Sequence, residues 1–195
     1  FGKKSGIDLP GEASGIIKNP KNISATDLAT ISFGQTNTVN SVQYMSAFNA
    51  IANGGTLIQP HIMKEITHKD DSGVEVVDRK FEPTEKAVSD KETTAQLRQY
   101  LERVVTAGSA KGTFIEGYHI GGKTGTAQKV NPENGTYEQG KYISSFVGMA
   151  PVSDPKITVM ITIDEPSNGA YYAGVVTSPV AKSLFTDIFN YLESD

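Results

Sequence analysis

The sequence predicts an α+β fold in which helices pack on an antiparallel β-sheet. Three strand-like segments follow one another after residue 117 with no helical pattern between them, and amphipathic helical patterns lie before and after this group. Strands that follow one another without a crossover helix pair antiparallel. The predicted chain order is a loop, a helix, two strands, a helix, three strands and a final helix.

Composition narrows the possible functions. The chain has 195 residues, a net charge of -4, 37% hydrophobic residues and no cysteine. Its length fits one domain or most of one, and the mild acidity argues against nucleic-acid binding, which needs a basic surface. The absence of cysteine excludes disulfide scaffolds, thiol catalysis and cysteine-based zinc sites. No apolar run reaches the roughly 18 residues that a membrane span requires.

The residue pattern of the first half of the chain predicts one long loop, one helix and two strands. Residues 1–38 are rich in turn formers and are expected to be irregular. Asn40, with Gln43 three residues later, resembles a capping box, and the helix that follows should stop at 53–55, Asn-Gly-Gly. Strands are expected at 57–66 and 74–77. The apolar stripe of the helix comprises Val42, Met45, Phe48, Ile51 and Ala52.

The second half begins with a helix that Ser89 and Glu92 should cap and that Gly108 should end. Extended segments follow at 118–130, 142–150 and 157–163, and the last alternates apolar and other residues as a strand with one buried face does. A closing helix should start at Ser178-Pro179, because proline suits the first turn of a helix. Its apolar residues are Ala181, Leu184, Phe185, Ile188, Phe189 and Leu192.

One lysine belongs to two rival motifs. Residues 117–124 fit the phosphate-loop pattern G-x-x-x-x-G-K-[ST], and Asp164-Glu165 after an apolar segment resembles the acid that holds magnesium in NTPases. A phosphate loop must open a helix, whose N-terminal N–H groups bind the phosphates. The residues after Thr124 include Gly125 and an early Asn-Pro at 131–132, which leave no room for a helix. The context therefore argues against an NTPase.

The second motif is Lys-Thr-Gly on a strand, one of three motifs of serine acyl-transfer enzymes together with S-x-x-K and S-D-N. A cation at Lys123 and hydroxyl groups at Thr124 and Thr126 suit a substrate that ends in a carboxylate. Strand alternation puts both threonines on one face and Lys123 on the other. Gly125 lacks a Cβ, so an extended peptide can lie close to the strand and pair with its edge.

The flanking residues make the second interpretation more specific. Gly-Gly-Lys-Thr-Gly-Thr-Ala-Gln at 121–128 resembles the third motif of class B penicillin-binding proteins. Residues 1–12, 43–55, 142–148 and 163–166 resemble further segments of the same family in the same order. The resemblance runs from residue 1 to about residue 192, and it is strongest to the division and sporulation transpeptidases of Gram-positive bacteria.

The resemblance implies a partial transpeptidase fold of the penicillin-binding-protein and β-lactamase type. Residues 1–195 would be the C-terminal portion of one transpeptidase domain. The family's serine nucleophile, in S-x-x-K, and its S-x-N motif would both lie upstream of Phe1. Possible substitutes inside the chain do not fit: Ser109 has its lysine only two residues later, and Ser41, Ser144 and Ser183 have none three residues later. Ser153-Asp154-Pro155 comes closest to S-D-N but is expected in a turn between strands. We therefore expect the isolated chain to be inactive.

The resemblance also implies roles for five site residues. Lys123 would shape the proton relay and the electrostatic environment near the serine of the S-x-N motif. Thr124 and Thr126 would bind the carboxylate of the peptide or of a β-lactam, with Gly125 between them. The backbone N–H of Thr126 would form half of the oxyanion hole, and Gln128 would face the acyl side chain. No cofactor is implied, and His61, His68 and His119 show no metal-ligand spacing.

The implied activity of the parent protein is cross-linking of peptidoglycan stem peptides that end in D-Ala-D-Ala. Expected partners are those peptides, β-lactams and the missing half of the domain, with self-association of the fragment as a further expectation. The expected location is the outer face of the cytoplasmic membrane, anchored by a segment outside this chain. A non-catalytic complementing or regulatory piece and, less favoured, an NTPase are the alternatives.

Overall fold

The α+β prediction is confirmed by a computed structural model that describes residues 1–131, 133–167 and 169–193. The predicted Asn-Pro at 131–132 therefore lies partly outside the described residues, because Pro132 is not among them. The chain forms two compact units. Unit 1 comprises residues 1–50 and 55–88, and unit 2 comprises residues 51–54 and 89–195.

Unit 1 holds two helices and two small antiparallel sheets. The elements are α1 (Ala25–Ile31), most of α2 (Ser41–Ala52), β1 (Thr56–Ile58), β2 (Glu65–Lys69), β3 (Glu75–Lys80) and β4 (Glu85–Ala87), with a 3-10 turn at Pro20–Asn22. Strand β1 pairs with β4, and β2 pairs with β3.

Helix α1 corrects the expectation that residues 1–38 are irregular. Ser24 caps the helix, because its hydroxyl accepts the N–H of Asp27 at 3.1 Å while the Asp27 carboxylate accepts the N–H of Ser24 at 3.0 Å. This reciprocal pair is a capping box with aspartate at the third position. The sequence does contain this cap as Ser-x-x-Asp, but the many turn-forming residues around it led to the prediction of an irregular segment.

The predicted strand at 57–66 is also wrong, because two separate strands, β1 and β2, occupy its ends. Pro60 has no N–H to give to a ladder. The N–H groups of Ile62 and Met63 are bound instead by the carboxylate of Asp8, at 2.7 and 2.8 Å. The strand predicted at 74–77 is present as the longer β3, and β4 was not predicted.

The start of α2 is confirmed in part. Asn40 accepts the N–H of Gln43 at 2.7 Å, as a capping residue does. The second bond of the predicted capping box, from the backbone N–H of Asn40 to the Gln43 side chain, is a wrong prediction. The Gln43 amide instead donates to the carbonyls of Lys3 and Ser14. The buried Gln43 side chain therefore ties the N-terminal segment of unit 1 to this helix.

Unit 2 contains the three-stranded antiparallel sheet that the sequence predicts. The elements are α3 (Lys91–Ala107), β5 (Gly121–Val130), β6 (Tyr137–Ala150), β7 (Ile157–Asp164), α4 (Ala173–Val176) and α5 (Ser178–Glu193), with a 3-10 turn at Lys111–Thr113. The strands lie in the order β5-β6-β7. One predicted cap is wrong: Asp90, not Ser89, caps α3, and its carboxylate accepts the N–H of Thr93 at 2.7 Å.

The core of unit 2 lies between α5 and one face of this sheet. Phe146 on β6 and Phe185 on α5 are its largest fully buried side chains. Two paired glycines, Gly122 and Gly148, make room for the Phe146 ring, because a Cβ on either would approach ring atoms to 2.5 or 2.7 Å. Among the described residues no helix combines the length and hydropathy of a membrane span.

Candidate functional site

The Lys123–Thr126 motif lies in the middle of β5, which pairs with β6 alone among the described residues. Glu165 N–H donates to the Tyr142 carbonyl at 2.9 Å, which sets the alternation of hydrogen bonds along β6. Even-numbered residues of β6 therefore bond to β7 and odd-numbered residues bond to β5. By the β5–β6 register, Thr124 and Thr126 direct their backbone N–H and C=O groups to the open edge of the sheet.

Both threonine hydroxyls are held by neighbouring elements. The Thr124 hydroxyl lies 2.8 Å from the hydroxyl of Ser109, which follows the end of α3. The Thr126 hydroxyl accepts the backbone N–H of Ala173, the first residue of α4, at 3.0 Å. Each arrangement leaves at least one O–H able to donate elsewhere. The structure therefore orients the two hydroxyls and leaves hydrogen-bonding capacity at each of these two positions.

Lys123 is exposed, and its ammonium group donates to the Thr124 carbonyl at 2.9 Å. This bond is consistent with the β5–β6 register, which directs the Thr124 carbonyl away from β6 and toward the open edge of the sheet. No carboxylate lies within salt-bridge distance of Lys123 among the residues described. The lysine therefore supplies a positive charge at the edge where the two threonines present their backbone.

The structure adds a reason for glycine at 125. A Cβ at this position would lie 2.7 Å from the hydroxyl oxygen of Ser145, the residue directly opposite on β6. The Ser145 hydroxyl donates to the Gly125 carbonyl at 3.4 Å. A side chain at 125 would therefore displace the Ser145 hydroxyl, in addition to obstructing a ligand that approaches the strand closely.

Gln128 sits at the far end of the strand, where its amide donates to the carbonyl of Glu138 at 2.9 Å. It braces the β5–β6 hairpin in this way. The next residue, Lys129, reaches across the sheet to Asp164 at 3.0 Å and Glu165 at 2.7 Å. The hydrogen bond that Lys129 donates to Glu165, followed by the one that it donates to Asp164, raises the pKa of Lys129.

The NTPase interpretation is inconsistent with this geometry. Lys123 and Thr124 lie inside a ten-residue strand, so no helix N-terminus stands behind them to bind phosphate. Asp164 and Glu165, the magnesium candidates, are engaged by Lys129. In the part of the chain that the structure describes, no three His, Asp or Glu side chains group as metal ligands.

Sequence reasoning missed the residues that hold the threonines. Ser109 was considered only as a substitute nucleophile, and Ala173 carried no signal because its contribution is a backbone N–H. The approach of Ala173 is supported by Tyr171, whose carbonyl accepts the Ser144 hydroxyl and whose ring stacks on Tyr142 at 3.9 Å. Glycine is also needed at position 174, since the Cβ of any other residue would lie 2.5 Å from the Ser109 carbonyl oxygen.

Comparison with known proteins supports a single family. Residues 1–186 match the model described as penicillin binding protein transpeptidase domain. The chain is 39% identical over 191 residues to stage V sporulation protein D of Bacillus subtilis, covering 96% of this chain and 28% of that protein. It is 34% identical over 190 residues to peptidoglycan D,D-transpeptidase FtsI of Buchnera aphidicola, covering 96% of this chain and 31% of that protein.

Solved structures agree with the sequence comparison. Penicillin-binding protein 3 of Mycobacterium tuberculosis in complex with ampicillin superposes with a TM-score of 0.84 at 28% identity, over 99% of this chain and 44% of that one. The transpeptidase domain of Burkholderia pseudomallei penicillin-binding protein 3 gives 0.80 at 33% identity, over 98% of this chain and 54% of that one. The chain thus spans less than a third of the two curated relatives named and about half of these structures.

Proposed function

Because the chain belongs to the family of penicillin-binding protein transpeptidase domains, we propose that it supplies the substrate-binding strand of a D,D-transpeptidase. Residues 1–195 are the C-terminal portion of that domain, and the serine nucleophile comes from a part of the protein outside this chain. The observation that carries the proposal is the open edge of β5, where Lys123, Thr124 and Thr126 gather a charge, two oriented hydroxyls and outward backbone groups.

The proposed reaction is cross-linking of peptidoglycan stem peptides by serine acyl transfer. The serine oxygen attacks the carbonyl between the two terminal D-alanines, and its proton passes to the departing D-alanine amine as the peptide bond breaks. An amine of a second stem peptide then attacks the acyl-serine ester, forms the new amide and returns a proton to the serine. The overall reaction exchanges one amide for another and needs no cofactor.

The residues of β5 support this chemistry in defined ways. The Thr126 hydroxyl donates to the terminal carboxylate, because it only accepts from Ala173 and keeps its own O–H. The Thr124 hydroxyl donates there as well when Ser109 is the donor of the bond between the two hydroxyls. Lys123 adds positive charge beside that carboxylate and the catalytic serines. The outward N–H of Thr126 stabilises the oxyanion that forms at the attacked carbonyl, a contribution worth ~2.7–4 kcal/mol in comparable enzymes. Gln128 borders the acyl side of the substrate.

The same edge accounts for β-lactam binding. A β-lactam presents a carboxylate and a reactive carbonyl, as the D-Ala-D-Ala terminus does. Two similar structures, both of the Mycobacterium tuberculosis protein, are complexes with ampicillin and aztreonam. Stem peptides lie outside the cytoplasmic membrane, so we place the activity there.

The test uses a chimera in which this chain replaces the matching segment of stage V sporulation protein D. Fluorescent penicillin should label the chimera covalently and should not label the isolated chain. Lys123→Ala should slow labelling by roughly 100-fold or more, as loss of transition-state electrostatics does. Lys182→Ala, which removes an exposed lysine of α5, is the matched control and should label at the unchanged rate.

Two results would overturn the proposal. Covalent labelling of the isolated chain would show that it carries its own nucleophile. A folded chimera, with a thermal melting curve like that of the parent protein, that fails to label would show that this strand does not serve the reaction.

A further inference from the structure

A buried serine lies directly opposite Thr126 on the neighbouring strand. Ser144 on β6 faces Thr126 on β5 in the strand register, and it is fully buried. Residues that face each other in this way project from the same side of a sheet, so the two hydroxyl groups are neighbours. The Ser144 hydroxyl nevertheless donates to the backbone carbonyl of Tyr171, in the segment that leads into α4. The serine therefore ties this segment to the strand beside the motif strand.

The same segment supplies the hydrogen-bond partner of Thr126. The Ala173 N–H donates to the Thr126 hydroxyl at 3.0 Å. Only Tyr172 lies between the carbonyl of Tyr171 and the N–H of Ala173, and its backbone is extended. A segment this short transmits a displacement, because a single residue has only two soft backbone dihedral angles. The position of the Tyr171 carbonyl therefore determines where the Ala173 N–H points.

Two further contacts restrict this segment without fixing the direction of the carbonyl. The Tyr171 ring stacks on the Tyr142 ring at a centroid distance of 3.9 Å. A ring can keep such a contact while its backbone turns, because the side-chain torsions adjust. Gly174 lies so close to Ser109 that a Cβ would be 2.5 Å from the Ser109 carbonyl oxygen. That contact limits movement toward Ser109 and does not prevent movement away from it, so the directional contact comes from Ser144.

We propose that Ser144 is a positioning residue for the transpeptidase reaction. It holds the Tyr171 carbonyl, and this contact keeps the Ala173 N–H on the oxygen of the Thr126 hydroxyl. With one lone pair occupied in this way, the hydroxyl has fewer rotational states, and its O–H stays available to the substrate carboxylate. The role in catalysis rests on the proposed function, whereas the effect of Ser144 on Ala173 is a property of the chain itself.

Loss of the Ser144 hydroxyl acts through Thr126 and not through stability alone. Alanine at 144 removes the donor to the Tyr171 carbonyl, and a carbonyl that has lost its donor turns toward another one, such as water. The Ala173 N–H then leaves the Thr126 oxygen, and the hydroxyl no longer favours one orientation. A substrate carboxylate has to impose that orientation when it binds, which slows acylation.

Hydrogen exchange of the isolated chain, followed by nuclear magnetic resonance, tests the contact itself. The Ala173 amide should exchange roughly 2- to 12-fold faster in Ser144→Ala, the range expected for the loss of one hydrogen bond. Thr94→Val is the matched control, because it removes another buried hydroxyl, one that donates to the carbonyls of Asp90 and Lys91 within α3. The control should leave the exchange of Ala173 unchanged.

A double-mutant cycle in the chimera tests the role in catalysis. Ser144→Ala should slow labelling by fluorescent penicillin by roughly 2- to 12-fold, as the loss of one oriented hydrogen bond does. In a Thr126→Val background, which lacks the hydroxyl, the same change should have no further effect, because the two residues act as a unit. Thr94→Val should lower the melting temperature and label at the unchanged rate, which separates positioning from stability.

Either of two results contradicts the role of Ser144. An unchanged exchange rate of Ala173 in Ser144→Ala would show that the serine does not hold this segment. Equal slowing by Ser144→Ala with and without the Thr126 hydroxyl would show that the serine acts on packing in general. An unmodified chimera that fails to label counts against the proposed function, and the exchange rate of Ala173 then decides by itself whether Ser144 positions the segment.

Discussion

At the scale of single residues, the site depends on small groups that make room for or orient larger ones. Gly122 accommodates the Phe146 ring, Gly125 accommodates the Ser145 hydroxyl, and Ser109 holds the hydroxyl of Thr124. The motif strand is therefore shaped by its neighbours inside unit 2. Substitutions that add or remove a few atoms test this arrangement directly.

Ser109→Ala removes the partner of the Thr124 hydroxyl. One neutral hydrogen bond contributes about 0.5–1.5 kcal/mol, so labelling of the chimera by fluorescent penicillin should slow by roughly 2- to 12-fold. Ser109→Thr retains a hydroxyl and should restore most of the rate. An unchanged rate for the alanine variant would show that Thr124 needs no such support.

Gly122→Ala should destabilise unit 2 by about 3 kcal/mol, because overpacking against a ring and a backbone carbonyl cannot be relieved by a side-chain rotation. The added Cβ would lie 2.5 Å from the Phe146 ring and 2.6 Å from the Val147 oxygen. Gly117→Ala is the control, since no atom lies within 4 Å and only the positive φ of 84° is unfavourable there. Urea unfolding of both variants measures the difference, and equal losses would contradict the packing argument.

At the scale of elements, caps and ion pairs decide where helices begin. Helix α3 is capped by Asp90 rather than by Ser89, and α1 is capped by Ser24 and Asp27, each of whose side chains accepts the backbone N–H of the other. Both elements use a carboxylate near the helix N-terminus, where backbone N–H groups and the helix dipole favour negative charge. Their stability should therefore respond to removal of the carboxylate and to acid.

Asp90→Ala should lower the melting temperature of the chain by roughly 2–4 °C, the effect expected for loss of a helix cap in a protein of this size. Ser89→Ala should leave it unchanged, because no hydrogen bond of the Ser89 side chain caps the helix. Differential scanning calorimetry of the two variants compares them. A larger effect from Ser89→Ala would restore the cap that the sequence suggests.

Acid should weaken α1 over a defined pH range. The hydrogen bond from Lys18, followed by those from Ser24, lowers the pKa of Asp27 from 3.8 to about 2. A carboxylate with a lowered pKa stabilises the fold above its unfolded pKa, and that contribution disappears as the pH falls through the folded value. The difference in urea midpoint between the natural chain and Asp27→Asn should therefore shrink between about pH 4 and pH 2. A difference that stays constant to pH 2 would contradict the assignment.

At the scale of the whole molecule, the two units differ in how much of their structure is buried. The second half of β6 is almost entirely buried, from Ser144 to Ala150, whereas β2 and β3 are almost entirely exposed. Isolated two-stranded hairpins are marginally stable in water. The hydrogen bonds of the β2–β3 pair should therefore open more often than those of the unit 2 sheet.

Native-state hydrogen exchange should reveal this difference. Amides of β6 should exchange only by global opening of unit 2, and amides of β2 and β3 should exchange through local opening, at least 100-fold faster. Nuclear magnetic resonance or mass spectrometry resolves the two groups. Equal protection of both would show that the hairpin is stabilised by contacts beyond its own pair of strands.

Local patterns in the sequence determined much of this protein. Alternation over 157–163, helical spacing after residue 90 and the Ser178-Pro179 start signal located the strands β5 to β7 and the helices α3 and α5. The Lys123–Thr126 motif and its flanks pointed to the family. These predictions succeeded because periodicity, caps and motif spacing are properties of neighbouring residues.

The tertiary structure alone decided which groups meet across long separations. Ser109 lies 15 residues from Thr124 and Ala173 lies 47 from Thr126, and neither contact leaves a periodic signal in the sequence. The Gln43 amide binds the N-terminal segment instead of closing its own cap, because a buried amide takes the nearest carbonyls that the fold brings to it. The sequence thus located the motif strand, and packing decided how its hydroxyls are held and which backbone groups face its open edge.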